Sequence, residues 1–271
     1  MPQLQNRVIA LTGAGSGIGR ALALTLARRG ATVAMADRDG EGLAETARLI
    51  GNYPHSCCTF DVTDTAALQD FIDGAAREFG QLHGIINNAG LTIVAPFADM
   101  PREDFARVMA VNFDAVVEGC RLALPHLRAH GSGWIVNISS VFGMMGYPTQ
   151  SSYNASKFAV RGLTEALHLE LAQTDPGISV IRVHPGGIKT NVVRSAKVIA
   201  QMPGSRITDS AAEFDKAAPT TPEQAAETIV RGMETGQHRV LIGRDARFVD
   251  WMVRLFPTTH MRWIVRAGKR A

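Results

Sequence analysis

Tyr153 and Lys157 stand four residues apart in SSYNASKFAV, a segment otherwise fit for an ordinary buried helix. That spacing is one helical turn, so the phenol and the ammonium share a face. A phenol has a reference pKa near 10, and about one molecule in a thousand is ionised at pH 7. Alone it is a poor base. An ammonium one turn away stabilises the phenolate, yet lowering the pKa by about three units takes roughly 4 kcal/mol, more than an exposed ion pair contributes. Desolvation around the pair and the positive ring of an oxidised nicotinamide would supply the remainder, which argues for a cofactor bound beside Tyr153. The same spacing also suits a tyrosine that packs and a lysine that snorkels, so other residues must decide.

Ser140 ends the run IVNISS, 13 residues before Tyr153, so both can reach one edge of a sheet. Its hydroxyl can hydrogen-bond the oxygen of an alcohol or ketone and hold it against the phenol. Strand alternation turns the neighbouring Ser139 away. Asn112 is polar within the apolar helical stretch VMAVNFDAV, where its amide bonds the backbone or an ordered water.

The first apolar run leads straight into TGAGSGIGR, residues 12–20, and then a helix. Gly13, Gly17 and Gly19 remove side chains where the backbone must turn, approach a pyrophosphate and pack on a sheet, while the helix N-terminus faces the phosphates. The middle spacing is longer than in G-x-G-x-x-G. Asp37 ends the second apolar run, 18 residues beyond Gly19, where a carboxylate can accept hydrogen bonds from an adenosine ribose. A 2′-phosphate there would meet a repulsion of roughly 1 to 4 kcal/mol at 4 Å, which favours NAD. Arg38 leaves NADP open, because a guanidinium can hold that phosphate.

Elements must bring these residues together. Short apolar runs begin at Arg7, Ala31, His55, His83, Gly133 and Ile178; they lack clean polar alternation, as strands covered on both faces do. Helical spacing fills residues 19–29, 65–79, 104–129 and 152–174. A last helix over 222–235, followed by HRVLIG, adds a seventh strand. Strand and helix in turn predict an α/β fold, a doubly wound parallel sheet in a single domain spanning 1–271. Two parts are irregular: a loop of about 30 residues after Pro185, of the length that is usually functional or mobile, and a C-terminal extension over 244–271.

The chain has 271 residues, 46% of them apolar, enough for a substantial core. No run approaches the roughly 20 apolar residues of a membrane-spanning helix, and the N-terminus lacks a basic region followed by a long apolar one, so a cytoplasmic protein is expected. Cys57, Cys58 and Cys120 form neither zinc nor redox spacing and read as small buried hydrophobes. No metal is expected. A net charge of +3 gives no case for nucleic acid, but residues 244–271 carry seven Lys/Arg against two Asp, so residues 1–243 sum to −2. That extension spaces Phe248, Trp251, Met252, Leu255 and Phe256 along one helical face with arginines interleaved. A helix packed on its own subunit or a partner is the favoured expectation; contact with anionic lipid is the other.

Taken together, TGAGSGIG (residues 12–19), Asp61-Val62, NNAG (87–90), Asn112, Ser140, YNASK (153–157) and HPGGIKT (184–190) resemble the short-chain dehydrogenase/reductase family over about residues 5–243. The resemblance implies a Rossmann-type sheet of seven strands and a homotetramer or homodimer. It implies that Tyr153 is the acid/base, that Lys157 lowers its pKa and binds the nicotinamide ribose, that Ser140 orients substrate, and that Asn112 positions a water linking Lys157 to solvent. Ser16 and Ile18 join the three glycines as cofactor contacts, with Asp37 and Arg38. Asp61 and Val62 contact adenine; Asn88, Ala89 and Gly90 line the cofactor; Pro185, Gly186, Ile188 and Thr190 hold its nicotinamide end. Met144, Met145, Tyr147 and Gly187 join Ser140 and Tyr153 as substrate contacts. The expected walls, residues 91–97, 141–147 and 191–219, are mostly apolar and suit a small-molecule carbonyl or alcohol. The expected activity is reversible hydride transfer between a secondary alcohol and a ketone. Rival readings are a catalytically silent dinucleotide-binding sensor or scaffold, and an epimerase or dehydratase on the same fold, whose relatives carry a shorter glycine spacing and a large C-terminal substrate domain absent here.

Overall fold

A computed structural model of the chain describes residues 3–189, 196–200 and 220–268. Its centre is a seven-stranded parallel sheet built from β1 (Val8–Thr12), β2 (Thr32–Asp37), β3 (His55–Thr59), β4 (Gly84–Asn87), β6 (Gly133–Ile138), β7 (Ile178–Pro185) and β9 (Arg239–Ile242). The order is β3-β2-β1-β4-β6-β7-β9. β5 (Ile93–Val94) and β8 (Lys197–Val198) form a separate two-stranded parallel pair that the apolar pattern does not reveal. From β1 the chain builds outward through β2 and β3, then returns to place β4 on the other side of β1. That reversal makes the carboxyl ends of β1 and β4 the topological switch point, where ligands of such sheets bind.

β1, β4 and β6 are buried along their whole lengths, so apolar residues fill both faces. The edge strand β3 corrects the expectation of cover on both faces. Its last three residues are exposed, and they include Cys57 and Cys58, which are therefore not core residues. Cys120 is buried, and burial pushes its thiol up to about 12.

Helices cover the faces: α1 (Gly17–Arg28), α2 (Gly40–Ile50), α3 (Thr65–Phe79), α4 (Arg102–Met109), α5 (Ala115–His130), α6 (Ser151–Thr174) and α7 (Pro222–Glu234). α1 and α7 bury Leu22, Leu26, Ile229 and Val230 against one face, and α3, α5 and α6 bury Ile72, Leu127 and Val160 against the other. α2 was not separated by the sequence spacing; it starts on Asp39, whose carboxylate caps it by accepting from Gly42 N at 3.0 Å. The stretch 104–129 is helical throughout but not uniformly α. α4 and α5 are joined by a π turn, Ala110–Asp114, that carries Asn112. Single π turns inserted in helices occur frequently at functional sites.

The C-terminal extension forms α8 (Arg244–Leu255) and α9 (Thr259–Gly268). It does not bury its aromatic residues along one face. Ala246 and Met252 point inward, whereas Phe248, Trp251 and Leu255 are more than half exposed and Phe256 already lies past the helix end. A hydrogen-bonded Arg239–Asp250 pair ties α8 to β9. Among the described residues no helix is long and apolar enough to cross a membrane, and no group of three or more His, Cys, Asp or Glu side chains is placed to hold a metal.

Candidate active site

The glycine loop closes over the switch point. Gly13 has a φ of +69°, and a Cβ there would lie 2.8 Å from the backbone of Ala89. A Cβ at Gly19 would overlap the Gly13 carbonyl oxygen. Both glycines are thus fixed by space, the first also by conformation. Thr12 Oγ1 accepts from the N–H groups of Asn88 and Ala89 at 3.2 Å, while Asn88 Nδ2 donates to the carbonyls of Thr12 and Gly13. These bonds lock the end of β4 to the end of β1. Ser16 is the N-cap of α1 but makes no side-chain cap, so the helix presents its first amide groups unblocked by its own side chain. Ile18 lies half-buried in that first turn. A glycine-rich loop ahead of a helix whose first amides are not capped by a side chain fits the pyrophosphate of a dinucleotide.

Asp37 sits at the carboxyl end of β2, half-buried, and its carboxylate accepts from Gly15 N at 2.8 Å and from Asp39 N at 2.9 Å. It shapes the loop as well as facing the cleft edge. Arg38, next to it, is exposed. Asp61 accepts from the N–H and hydroxyl of Thr63, which turns the chain after β3, and Val62 is buried against Val111 and Ala115.

The candidate catalytic side chains converge at the carboxyl ends of β4 and β6. Ser140 follows β6, is buried, and accepts from Phe142 N at 3.1 Å. Ser139 points the other way and donates to the Lys157 carbonyl at 2.8 Å, as alternation requires. Lys157 is buried, and its ammonium donates to the Ile138 carbonyl at 2.9 Å. Burial without a carboxylate partner brings its pKa down to about 8. A Cβ on Gly90 would stand 3.3 Å from Asn112 Oδ1 and 3.6 Å from Lys157 Nζ, so the bare backbone of NNAG lies against both groups.

The Tyr153 phenol behaves differently from the sequence expectation. Burial raises its pKa, and a hydrogen bond with Ser140 acts against that without reversing it. Lys157 does not offset the burial. Its Nζ lies over the tyrosine ring, 5.6 Å from the centroid, and donates to the Ile138 carbonyl. Without a further positive charge the phenol stays protonated.

Asn112 is fully buried in the π turn. Its Oδ1 accepts from Leu91 N at 2.8 Å, and its Nδ2 donates to Leu91 O at 2.9 Å and to Ser156 Oγ at 3.1 Å. The amide therefore fastens the segment after NNAG to α6, and its bonds to Leu91 are the backbone contacts that a polar residue in an apolar helical stretch was expected to make.

Residues 141–147 form the wall above Ser140. Phe142 stacks on Tyr147, with ring centroids 5.1 Å apart, and meets Tyr153 edge-on at 6.2 Å. Met145 is half-buried, whereas Met144 is buried, its sulfur taken by Arg239 Nη2 at 3.3 Å, which places the thioether against β9. Asn154 holds the wall in place. Its Nδ2 donates to the carbonyls of Phe142 and Met145 at 2.8 Å, and its Oδ1 accepts from Tyr147 N at 3.0 Å. Neither Phe142 nor Asn154 was singled out from the sequence. Asn154 lies one residue beyond Tyr153, and an amide inside a helix beside a reactive residue was the available signal.

After β7, Pro185 is buried, Gly186 donates to the Ile242 carbonyl at 3.0 Å, and Ile188 is buried beside Thr220. Gly187 donates its N–H to Asp245 Oδ2 at 2.5 Å, which ties that amide to α8. Thr190 and most of the expected wall 191–219 lie outside the described residues. His184 is fully buried, with Nδ1 3.0 Å from the Ser140 carbonyl; burial brings its pKa down to about 4. Behind the site Asn87, Asn137 and Thr164 form a buried hydrogen-bonded chain between β4, β6 and α6.

The short chain dehydrogenase family model matches residues 7–199. A Mycobacterium tuberculosis protein named as an oxidoreductase, SadH, is 43% identical over 272 residues, which cover 99% of this chain and 97% of that protein. Among solved structures, a short-chain dehydrogenase/reductase from Burkholderia phymatum in complex with NAD aligns with a TM-score of 0.86 at 26% identity, covering 97% of each chain. Levodione reductase aligns with a TM-score of 0.79 at 28% identity, over 91% of this chain and 98% of that one. The match to SadH spans the glycine loop, α6 and the C-terminal extension. The chain belongs to the short-chain dehydrogenase/reductase family and is an oxidoreductase of that family.

Proposed function

We propose that this protein interconverts a secondary alcohol and a ketone with NAD, and that Tyr153 moves the proton. The observation that carries the reading is the meeting of Tyr153 and Ser140 at the mouth of the glycine-lined cleft, with the buried ammonium of Lys157 beside them. When bound, NAD supplies the acceptor for a hydride and a positive ring; everything else is provided by the chain. Ser140 holds the substrate oxygen next to the phenol. In the reductive direction the protonated phenol, which burial favours, donates to the developing alkoxide. In the oxidative direction it must take the proton from the alcohol, and the positive charge that a bound NAD would supply is what would lower its pKa enough to allow that. Lys157 has a second role: a buried ammonium without a carboxylate is available to the ribose hydroxyls of the dinucleotide.

Asp37 at the end of β2 supports NAD over NADP, because a 2′-phosphate would approach a carboxylate already fixed by Gly15 and Asp39. The stacked Phe142–Tyr147 wall supports an apolar substrate, and the structural likeness to levodione reductase agrees with a carbonyl compound. Phe158 and Leu169, apolar and exposed on α6, support a homo-oligomer in which a second copy covers them. The test is a turnover screen of secondary alcohols and ketones with NAD and NADP side by side. Turnover with NAD at higher kcat/KM is expected. Dinucleotide binding without turnover across a broad panel would replace this reading with that of a silent binding protein.

A further inference from the structure

The carboxylate of Asp245 occupies a slot that two glycines leave open. Asp245 lies in the first turn of α8, beyond the residues that the family model matches. Its Oδ2 accepts from Gly187 N at 2.5 Å. A Cβ on Gly186, or on Gly243, would overlap its carboxylate. Gly243 needs to be glycine for its φ of +95°, but Gly186 is not among the residues with positive φ. The missing side chain at Gly186 is therefore explained by the approach of Asp245, not by backbone conformation. The other oxygen, Oδ1, is buried and has no hydrogen-bond partner among the described residues. Leaving a buried carboxylate oxygen unpaired is costly, and such exceptions to polar pairing call for a reason.

The rest of the loop is held by main chain alone among the described residues. Gly186 N donates to the Ile242 carbonyl and Lys189 N to the Thr220 carbonyl at 3.1 Å. Asp245 supplies the one side-chain bond to the amides between them.

We infer that Asp245 is a positioning residue: through Gly187 it sets the loop of Pro185 to Ile188 against the nicotinamide end of the dinucleotide, and so makes α8 part of the cofactor site. This rests on the dinucleotide reading above. It assigns the C-terminal extension a role in the site instead of a purely peripheral one, and it links that helix to the strand end that carries the loop.

The experiment compares NADH with ADP-ribose, which lacks the nicotinamide, by calorimetric titration of the full chain. Asp245→Ala should weaken NADH roughly tenfold, the loss expected of one charge-assisted hydrogen bond, and leave ADP-ribose within about twofold. In the ligand-free protein the amides of 186–189 should exchange faster with deuterium, while those of β1 and β4 stay protected. Asp245→Asn, which keeps an oxygen for Gly187 N, should retain most of the NADH affinity. Gly186→Ala should reproduce the selective loss by displacing the carboxylate, and adding it to Asp245→Ala should cost little more. Equal loss of both ligands, or of neither, in soluble folded variants overturns the role of Asp245. If wild type binds neither ligand, the dinucleotide reading itself fails, a result separate from any behaviour of the variants.

Discussion

Lys157 Nζ donates to the Ile138 carbonyl at 2.9 Å, so one side chain ties the strand that delivers Ser140 to the helix that delivers Tyr153. The ammonium that the proposed reaction uses also braces the site. Its burial costs stability, as the depressed pKa records.

Removing the hydroxyl of Tyr153 should stop the reaction without emptying the site. Tyr153→Phe should lower kcat by at least about 10² to 10⁴ and leave NADH affinity within about twofold, as read by steady-state kinetics and a fluorescence titration. Near-normal turnover would take Tyr153 out of the mechanism.

Lys157 makes stability depend on pH in the alkaline range. Its pKa falls from 10.5 to about 8 on folding, so between those values the unfolded chain holds the proton that the folded chain has released. Stability then rises with pH through that window. Relative to Lys157→Met, the wild type should gain at most about 3 kcal/mol between pH 8 and 10.5 in denaturant melts. A flat difference would mean that the ammonium is solvated in the folded protein.

His184 acts on the acid side. Its Nδ1 faces the Ser140 carbonyl, which assigns the proton to Nδ1, and its Nε2 is buried without a partner among the described residues. The pKa drops from 6.5 to about 4, so the fold keeps the ring neutral while the unfolded chain takes up a proton. Stability should therefore be lost as pH falls from about 6.5 to 4, by up to about 3 kcal/mol, and His184→Gln should lack that share of the slope. An unchanged acid profile in the variant would show that other groups carry it.

Asn154 offers a split between binding and chemistry. Asn154→Ala removes three hydrogen bonds that hold residues 142–147. KM for the carbonyl substrate should rise about tenfold or more, NADH affinity should stay within about twofold, and the melting temperature should fall by a few degrees. Loss of NADH affinity in parallel with KM would place Asn154 in the general fold instead of the substrate wall.

What was legible in the sequence follows from what local order can carry. Apolar runs broken by turns marked all seven strands of the main sheet, most firmly β1, β4 and β6, because strands buried on both faces need continuous apolar residues whatever their neighbours; the exposure of the edge strand β3 left no such trace. The glycine loop was legible because its spacing is a backbone requirement: Gly13 and Gly19 admit no Cβ. The one-turn spacing of Tyr153 and Lys157 by itself puts them on one face of α6.

Tertiary structure alone decided the rest. Where the Lys157 ammonium sits relative to the Tyr153 ring depends on where the Ile138 carbonyl stands, and that is set by the packing of β6 against α6. Asn112 became a clamp on Leu91 because a π turn, invisible in apolar periodicity, turns its amide toward the segment after β4. Met144 met Arg239 and Asp245 met Gly187 across 95 and 58 residues of sequence. Hydrogen bonds between groups so distant leave no periodic trace in the chain; they exist only once the sheet has fixed the order of its strands.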